Sequence, residues 1–211
     1  KAGPVPSWQP DALGEPFRVV SALPHARKLP RGALAGNRFT VVARGVTANR
    51  AIVEERLAAM RRRGVPNYFG EQRFGREAAN LGAVEAWVAG GGLPPRREDR
   101  GFVFSAARSL LFNAALAARV RAGTWDSLLP GDLANLDGSR SRFKVVEVDE
   151  TLRSRLAAFD IHPTGSLAGS GDAGLAGDAL AGERAAWSAL PAPWDGVPGA
   201  LAAAGVELDT R

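Results

Sequence analysis

Arg61–Gly75 reads RRRGVPNYFGEQRFG, and the rest of the chain is read outward from it. Three glycines and the Pro66–Asn67 pair resist regular structure, so a shaped loop is expected here. Tyr68, Phe69 and Phe74 are large rings that a plain connector has no reason to leave in water. Arg61, Arg62, Arg63 and Arg73 are permanent cations whose forked donors match phosphate. Two readings are open for such a loop. One is a nucleic-acid site, with arginines on the backbone and rings against bases. The other is a buried connector whose rings only pack.

The residues on either side frame the loop. Ile52, Val53, Leu57 and Met60 form an apolar stripe at helical spacing, and Thr47 can serve as N-cap. A helix is therefore expected over 47–63. The arginines fall in its last turn, where the helix dipole favours cations, and Gly64 provides the stop. Upstream, NRFTVVA over 37–43 alternates as a strand does, and Phe17–Val20 is a shorter strand candidate. Downstream, a helix is expected over 76–89, before Gly90–Gly92 and Pro94–Pro95 break the chain. A strongly apolar helix follows over 105–122. Strand material around the Asp137–Gly138 turn is expected over 132–148. Short helices are expected over 151–159, 175–190 and 197–205, with a glycine-rich loop over 161–172. The mixture of elements points to the α+β class.

Composition narrows the function. Of 27 Lys+Arg residues, 23 lie before residue 145, and the remainder of the chain is acidic in excess. That asymmetry predicts one face toward a polyanion. There is no cysteine and there are two histidines, which excludes disulfides and cysteine metal sites. No apolar run stands out as the roughly 18 residues of a membrane span. Gly165–Gly171 lacks the Gly-Lys-Ser/Thr ending of a phosphate loop. His162, followed by proline and beside Thr164, could act as acid or base, but is read first as a hydrogen-bonded structural histidine. Asn37 and Phe39 would share one face of a strand. They suit an amide-and-ring base receptor, or simply a strand-start cap beside a core ring.

Four segments together resemble the TruD family of tRNA pseudouridine synthases, in family order. They are KLPRGALAGNRF (28–39), RRGVPNYFGEQRFG (62–75), SAARSLLFNAALAARV (105–120) and LDGSRSRF…HPTGSLAG (136–169). The resemblance implies a mixed-sheet pseudouridine synthase core carrying an α/β insertion, the TRUD domain. Residues 1–77 would belong to the core and 78–211 to the insertion. It further implies an isomerase that flips a uridine out of tRNA and rejoins it through carbon, without cofactor or metal. Phe39 would pack on the uracil and Asn37 would help fix it. Arg31, Arg38, Arg63 and Arg73 would bind phosphates, with Asn67, Tyr68 and Gln72 completing the RNA contacts. A monomer in the cytoplasm is expected, with tRNA as partner and no membrane.

The chain departs from the family pattern at the nucleophile. The family carries its catalytic aspartate in a Gly-x-Lys-Asp-Arg segment before GNRF. Here Asp11, in QPDALGEP, is the only aspartate before Asn37. The expectation is an internal piece of a longer enzyme, with no catalytic residue in this chain. A family phenylalanine toward the C-terminus is also unmatched, and Ser166 and Ala168 stand where the family has proline and tryptophan. The alternative is a non-catalytic RNA-binding or scaffold module derived from the family.

Overall fold

A computed structural model describes residue 28, residues 38–172 and residues 174–210. They fall into two compact units, divided between Thr47 and Ala48. In the first unit, residues 38–47 form neither helix nor strand. The strand expected over 37–43 is therefore not formed over 38–43. Alternation supplies a pattern, but a strand also needs a neighbour for its N–H and C=O groups. Among the described residues none pairs with this segment. Phe39, Val41 and Val42 are accordingly exposed, Phe39 to 81%. The candidate strand at 17–20 lies outside the described residues.

The second unit begins with α1, Arg50–Arg63, whose cap is Asn49 rather than Thr47. The Asn49 side chain accepts the Ala51 N–H at 2.8 Å. The apolar stripe is present, but α1 buries none of its residues, and Ile52, Leu57 and Met60 stay half-exposed. After the central loop, Glu77 and Ala78 take left-handed backbone angles, so the next helix, α2, starts only at Ala79 and runs to Ala86. It ends in a widened turn, Trp87–Gly91.

The long helix α3 spans Arg97–Arg121, eight residues more at its start than the apolar pattern indicates. Its first turns read REDR, with Glu98 and Asp99 complementing the dipole. A reading keyed to apolar spacing passes over them. By length and composition alone α3 could cross a membrane. In this fold it is a core helix, packed against α2, α5 (Gly177–Ser188), α6 (Val197–Ala203) and strand β4 (Ser166–Leu167).

The sheets are small. β1 (Leu133–Leu136) is central between β2 (Arg142–Lys144) and β3 (Ile161–Pro163), antiparallel to both, with Ala134 opposite Phe143 and Pro163. β1 and β2 form the expected hairpin, whose turn contains Gly138 at φ +65. Helix α4, Glu150–Ala157, is capped by the Asp149 carboxylate and packs on β3. The glycine-rich segment 161–172 is more ordered than expected, since it holds β3 and β4. β4 pairs with β5, Asp209–Thr210, near the far end of the chain, which no local pattern could connect. Helices with small antiparallel sheets make the α+β fold that the sequence indicates.

Two apolar clusters hold these layers. One gathers Val84, Val103, Ala107, Leu111, Val197 and Leu201 around α3. The other joins Leu128, Ala134, Val145 and Ile161 beneath the sheet. Leu111 is fully buried at the centre of the first. Leu111→Ala is expected to lower unfolding free energy by about 2–5 kcal/mol. The readout is a lower urea midpoint at unchanged m-value; a loss under ~1 kcal/mol would place the packing centre elsewhere.

Candidate nucleic-acid interface

The central loop is mounted on α3. Gly64 leaves α1 at φ +76 and donates to the Met60 carbonyl at 2.8 Å. The chain then runs irregularly to Gly70 and makes a 3₁₀ turn over Glu71–Phe74. Asn113 of α3 clamps the loop with both ends of its amide. Its Oδ1 accepts the Phe69 N–H and its Nδ2 donates to the Phe69 carbonyl, each at 2.9 Å. The Phe69 ring meets Phe112 edge to face at 5.3 Å, and Arg73 lies over Phe69 at 5.0 Å. Arg73 Nη1 also donates to Ser105 Oγ at 3.0 Å. Phe69 and Phe74 thus pack, while Tyr68, Gln72 and Arg73 remain on the surface. The packing reading fits Phe69 and Phe74, while the exposed residues are placed where a ligand can reach them.

On one side of this loop lies a cavity of about 1620 Å³. Its walls come from the end of α1, the 64–67 segment, the second half of α3, the 125–130 loop, the hairpin and α4. Arg62, Asn67, Trp125, Arg140, Phe159 and His162 are among the residues that face it. Arg62 and Arg140 are exposed and have no carboxylate partner among the described residues. Arg63 differs. Its Nε meets Asp126 Oδ2 at 2.6 Å, and its guanidinium lies 5.5 Å from the Trp125 ring centre. The Arg63 hydrogen bond holds the Asp126 carboxyl below the usual carboxylate range. His162 Nε2 lies 2.9 Å from Asp137 Oδ1, which fits the structural role read for it.

At the cavity wall three ionisable side chains are built into the frame. Arg119 grips Asp132 through two nitrogens, at 2.9 and 3.0 Å, and Asp132 is fully buried. Glu183 is buried too. Its Oε1 accepts the Ser166 N–H at 2.8 Å, while Oε2 has no hydrogen-bond partner. Burial pushes this carboxyl above the usual range, against the opposing pull of the Ser166 hydrogen bonds. Among the described residues, no three histidine, aspartate or glutamate side chains gather as a metal site.

The residues singled out in the sequence are distributed as follows. Arg31 and Asn37 lie outside the described residues. Arg38 and Phe39 are exposed in the first unit. Arg63 and Asn67 face the large cavity. Tyr68, Gln72 and Arg73 line a separate groove with Asn80 and Phe102. Sequence reasoning passed over Asn113, Arg119 and Glu183. The available signal was a polar side chain set inside an apolar helical pattern, as Asn113 is in SLLFNAAL.

Comparison with known proteins points to one family. The model of the family tRNA pseudouridine synthase D (TruD) matches residues 15–92, which include the central loop. A tRNA pseudouridine synthase D of Xanthomonas euvesicatoria pv. vesicatoria is 48% identical over 185 residues. That alignment covers 82% of this chain and 50% of the relative. These matches support the TruD family for this chain. Proteins of the same name from Methylococcus capsulatus and Nitrosococcus oceani are 45% and 44% identical, over 86% and 79% of this chain and 51% and 47% of theirs. The chain therefore spans about half the length of the curated relatives it matches.

Glu183 gives the site a pH signature. Its folded-state pKa is raised, so the folded protein holds this proton more tightly than the unfolded chain does. The associated stabilisation is complete below the unfolded glutamate pKa of ~4.3 and is lost as pH rises through the folded value. Glu183→Gln keeps an acceptor for Ser166 and removes the titration. The variant is expected to flatten the decline in stability above pH ~4.3, measured as urea midpoint against pH. A parallel decline in wild type and variant would assign it to other groups.

Proposed function

We propose that the protein isomerises a uridine of tRNA to pseudouridine, with the target nucleotide turned out of its stack. The observation that carries this is the 44–48% identity to proteins named tRNA pseudouridine synthase D, across the central loop and α3. The geometry supports it. A clamped, ring-bearing loop stands between a wide cavity and a second groove, with Arg62, Arg73 and Arg140 free of carboxylates among the described residues to meet phosphates. Removing a base from its stack needs a ring to replace the lost stacking, and Phe39 supplies one. Asn37 would fix the same base. Arg31, Arg38, Arg63 and Arg73 would hold the backbone, with Asn67, Tyr68 and Gln72 lining the path. Arg63 would then meet RNA while still engaged with Asp126.

Cleaving the glycosidic bond needs a carboxylate beside the flipped nucleotide. On this proposal it comes from the half of the relatives' length that this chain does not span. Residues 1–77 would complete the catalytic core and 78–211 would form the insertion domain, with the Asn113 clamp joining the central loop to the insertion. A monomer working in the cytoplasm, where tRNA is processed, fits the same proposal.

The test is to incubate the full-length protein with an unmodified tRNA transcript and map pseudouridine by carbodiimide-dependent primer-extension stops. A new site is expected. Bound but unmodified tRNA would leave an RNA-binding module instead. Phe39→Ala is expected to slow modification about tenfold or more, in line with ~1–3 kcal/mol for a base–ring stack, while tRNA binding persists. An unchanged rate would remove Phe39 from the site.

A further inference from the structure

Most arginines with a defined partner in this unit are neutralised by carboxylates. Arg63, Arg119, Arg142 and Arg155 pair with Asp126, Asp132, Asp209 and Asp160. Arg73 and Arg108 are different. Neither has a carboxylate within ion-pair distance among the described residues, yet both border one groove of about 580 Å³. Arg108 is half-buried. Its Nη2 donates to the Leu167 carbonyl at 3.0 Å, and its Nε is buried with no partner. A guanidinium withdrawn from water with an unused donor is unfavourable unless an anion completes it. Burial accordingly lowers its pKa, and the charge of Asp209 only partly offsets this. Asp209 Oδ1 is itself engaged by Arg142 at 3.2 Å and the Thr210 N–H at 2.7 Å.

The groove also carries neutral donors. Ser105, Arg108 and Ser109 stand at i, i+3 and i+4 on α3, so they share one helix face. Ser105 Oγ already accepts from Arg73, which leaves its own hydroxyl hydrogen available to a ligand. Phe69, Arg73 and Ser105 line this groove and the neighbouring one of about 680 Å³. There Tyr68 and Phe102 keep 41% and 61% of their surface exposed, beside the amides of Gln72 and Asn80. Cations with hydroxyls in one groove, and rings with amides in the next, match the two ends of a nucleotide.

We propose that Arg73, Ser105 and Arg108 form a phosphate subsite, occupied by a backbone phosphate of RNA whose base lies against Tyr68 and Phe102. The choice of RNA over a free anion rests on the function proposed above; the anion site itself does not.

The experiment measures binding of labelled tRNA to the protein over a salt series, for wild type, Arg73→Gln, Arg108→Gln and the double variant. Each single variant is expected to bind about tenfold more weakly and to lose ~0.7–0.9 of slope in log K against log salt. The double variant should lose little more slope than either single, because both side chains hold one phosphate. Arg108 also anchors β4, so Arg73→Gln and Ser105→Ala, which do not touch the core, keep the test valid if Arg108→Gln fails to fold. Wild-type affinity and slope in Arg73→Gln would overturn the subsite. In a second arm, inorganic phosphate at matched ionic strength should displace tRNA better than chloride from wild type, and no better from Arg73→Gln. Phosphate that raises thermal stability of wild type but not Arg73→Gln, with tRNA slopes unchanged, would reject RNA as the occupant. Pseudouridine mapped on the same samples keeps the proposals separate: lost slope without modification sinks the catalytic one alone.

Discussion

The bidentate contact between Arg119 and Asp132 is the constraint on which the rest of this unit depends. It ties the last turns of α3 to the entrance of β1, and so joins the helical core to the sheet core. Asp132 also accepts the Leu129 N–H at 2.7 Å, while Arg119 donates to the Thr124 and Ser127 carbonyls. One ion pair thereby orders the whole 124–132 turn. A fully buried carboxylate is costly to leave unpaired, so each partner requires the other. The turn closes further at Gly131, φ +90, where a Cβ would sit 2.0 Å from the Ala176 carbonyl oxygen.

From that anchor α3 organises the molecule by faces. One face buries Val103, Ala107 and Leu111 against α2 and α6. Another presents Asn113 to the backbone of Phe69. A third carries Ser105 and Arg108 into the groove beside Leu167. Trp187 of α5 donates its indole N–H to the Leu111 carbonyl at 3.0 Å, which fixes the helix that brings Glu183 beneath Ser166. The loop bearing the family signature is thus held by a helix 44 residues away in sequence.

Charge in this protein does two kinds of work. Paired arginines build the frame: Arg63 with Asp126, Arg119 with Asp132, Arg142 with Asp209. Arg62, Arg73, Arg108 and Arg140 border grooves with no carboxylate partner among the described residues. Their fields are less offset by neighbours than that of Arg63, so a polyanion gains more from them. Composition reports the excess of cations but not this division.

Several features were decided locally and could be read from residue order. Gly64 ends α1, arginines fill its last turn, Asp137–Gly138 turns the hairpin, and the apolar run of 105–122 marks the core helix. Each depends on propensity or on neighbours within a few positions. Only the tertiary structure decided that the alternating segment 38–43 has no strand partner among the described residues, that 161–172 supplies two strands, and that Asn113 holds Phe69. It also decided which arginines are neutralised. Most of these outcomes depend on distant groups, from Arg119 and Asp132, 13 positions apart, to Arg142 and Asp209, 67 apart, whose meeting is set by packing of whole elements. A hydrogen bond or ion pair of that kind leaves no periodic trace in the chain, because its two ends are selected by geometry and not by spacing.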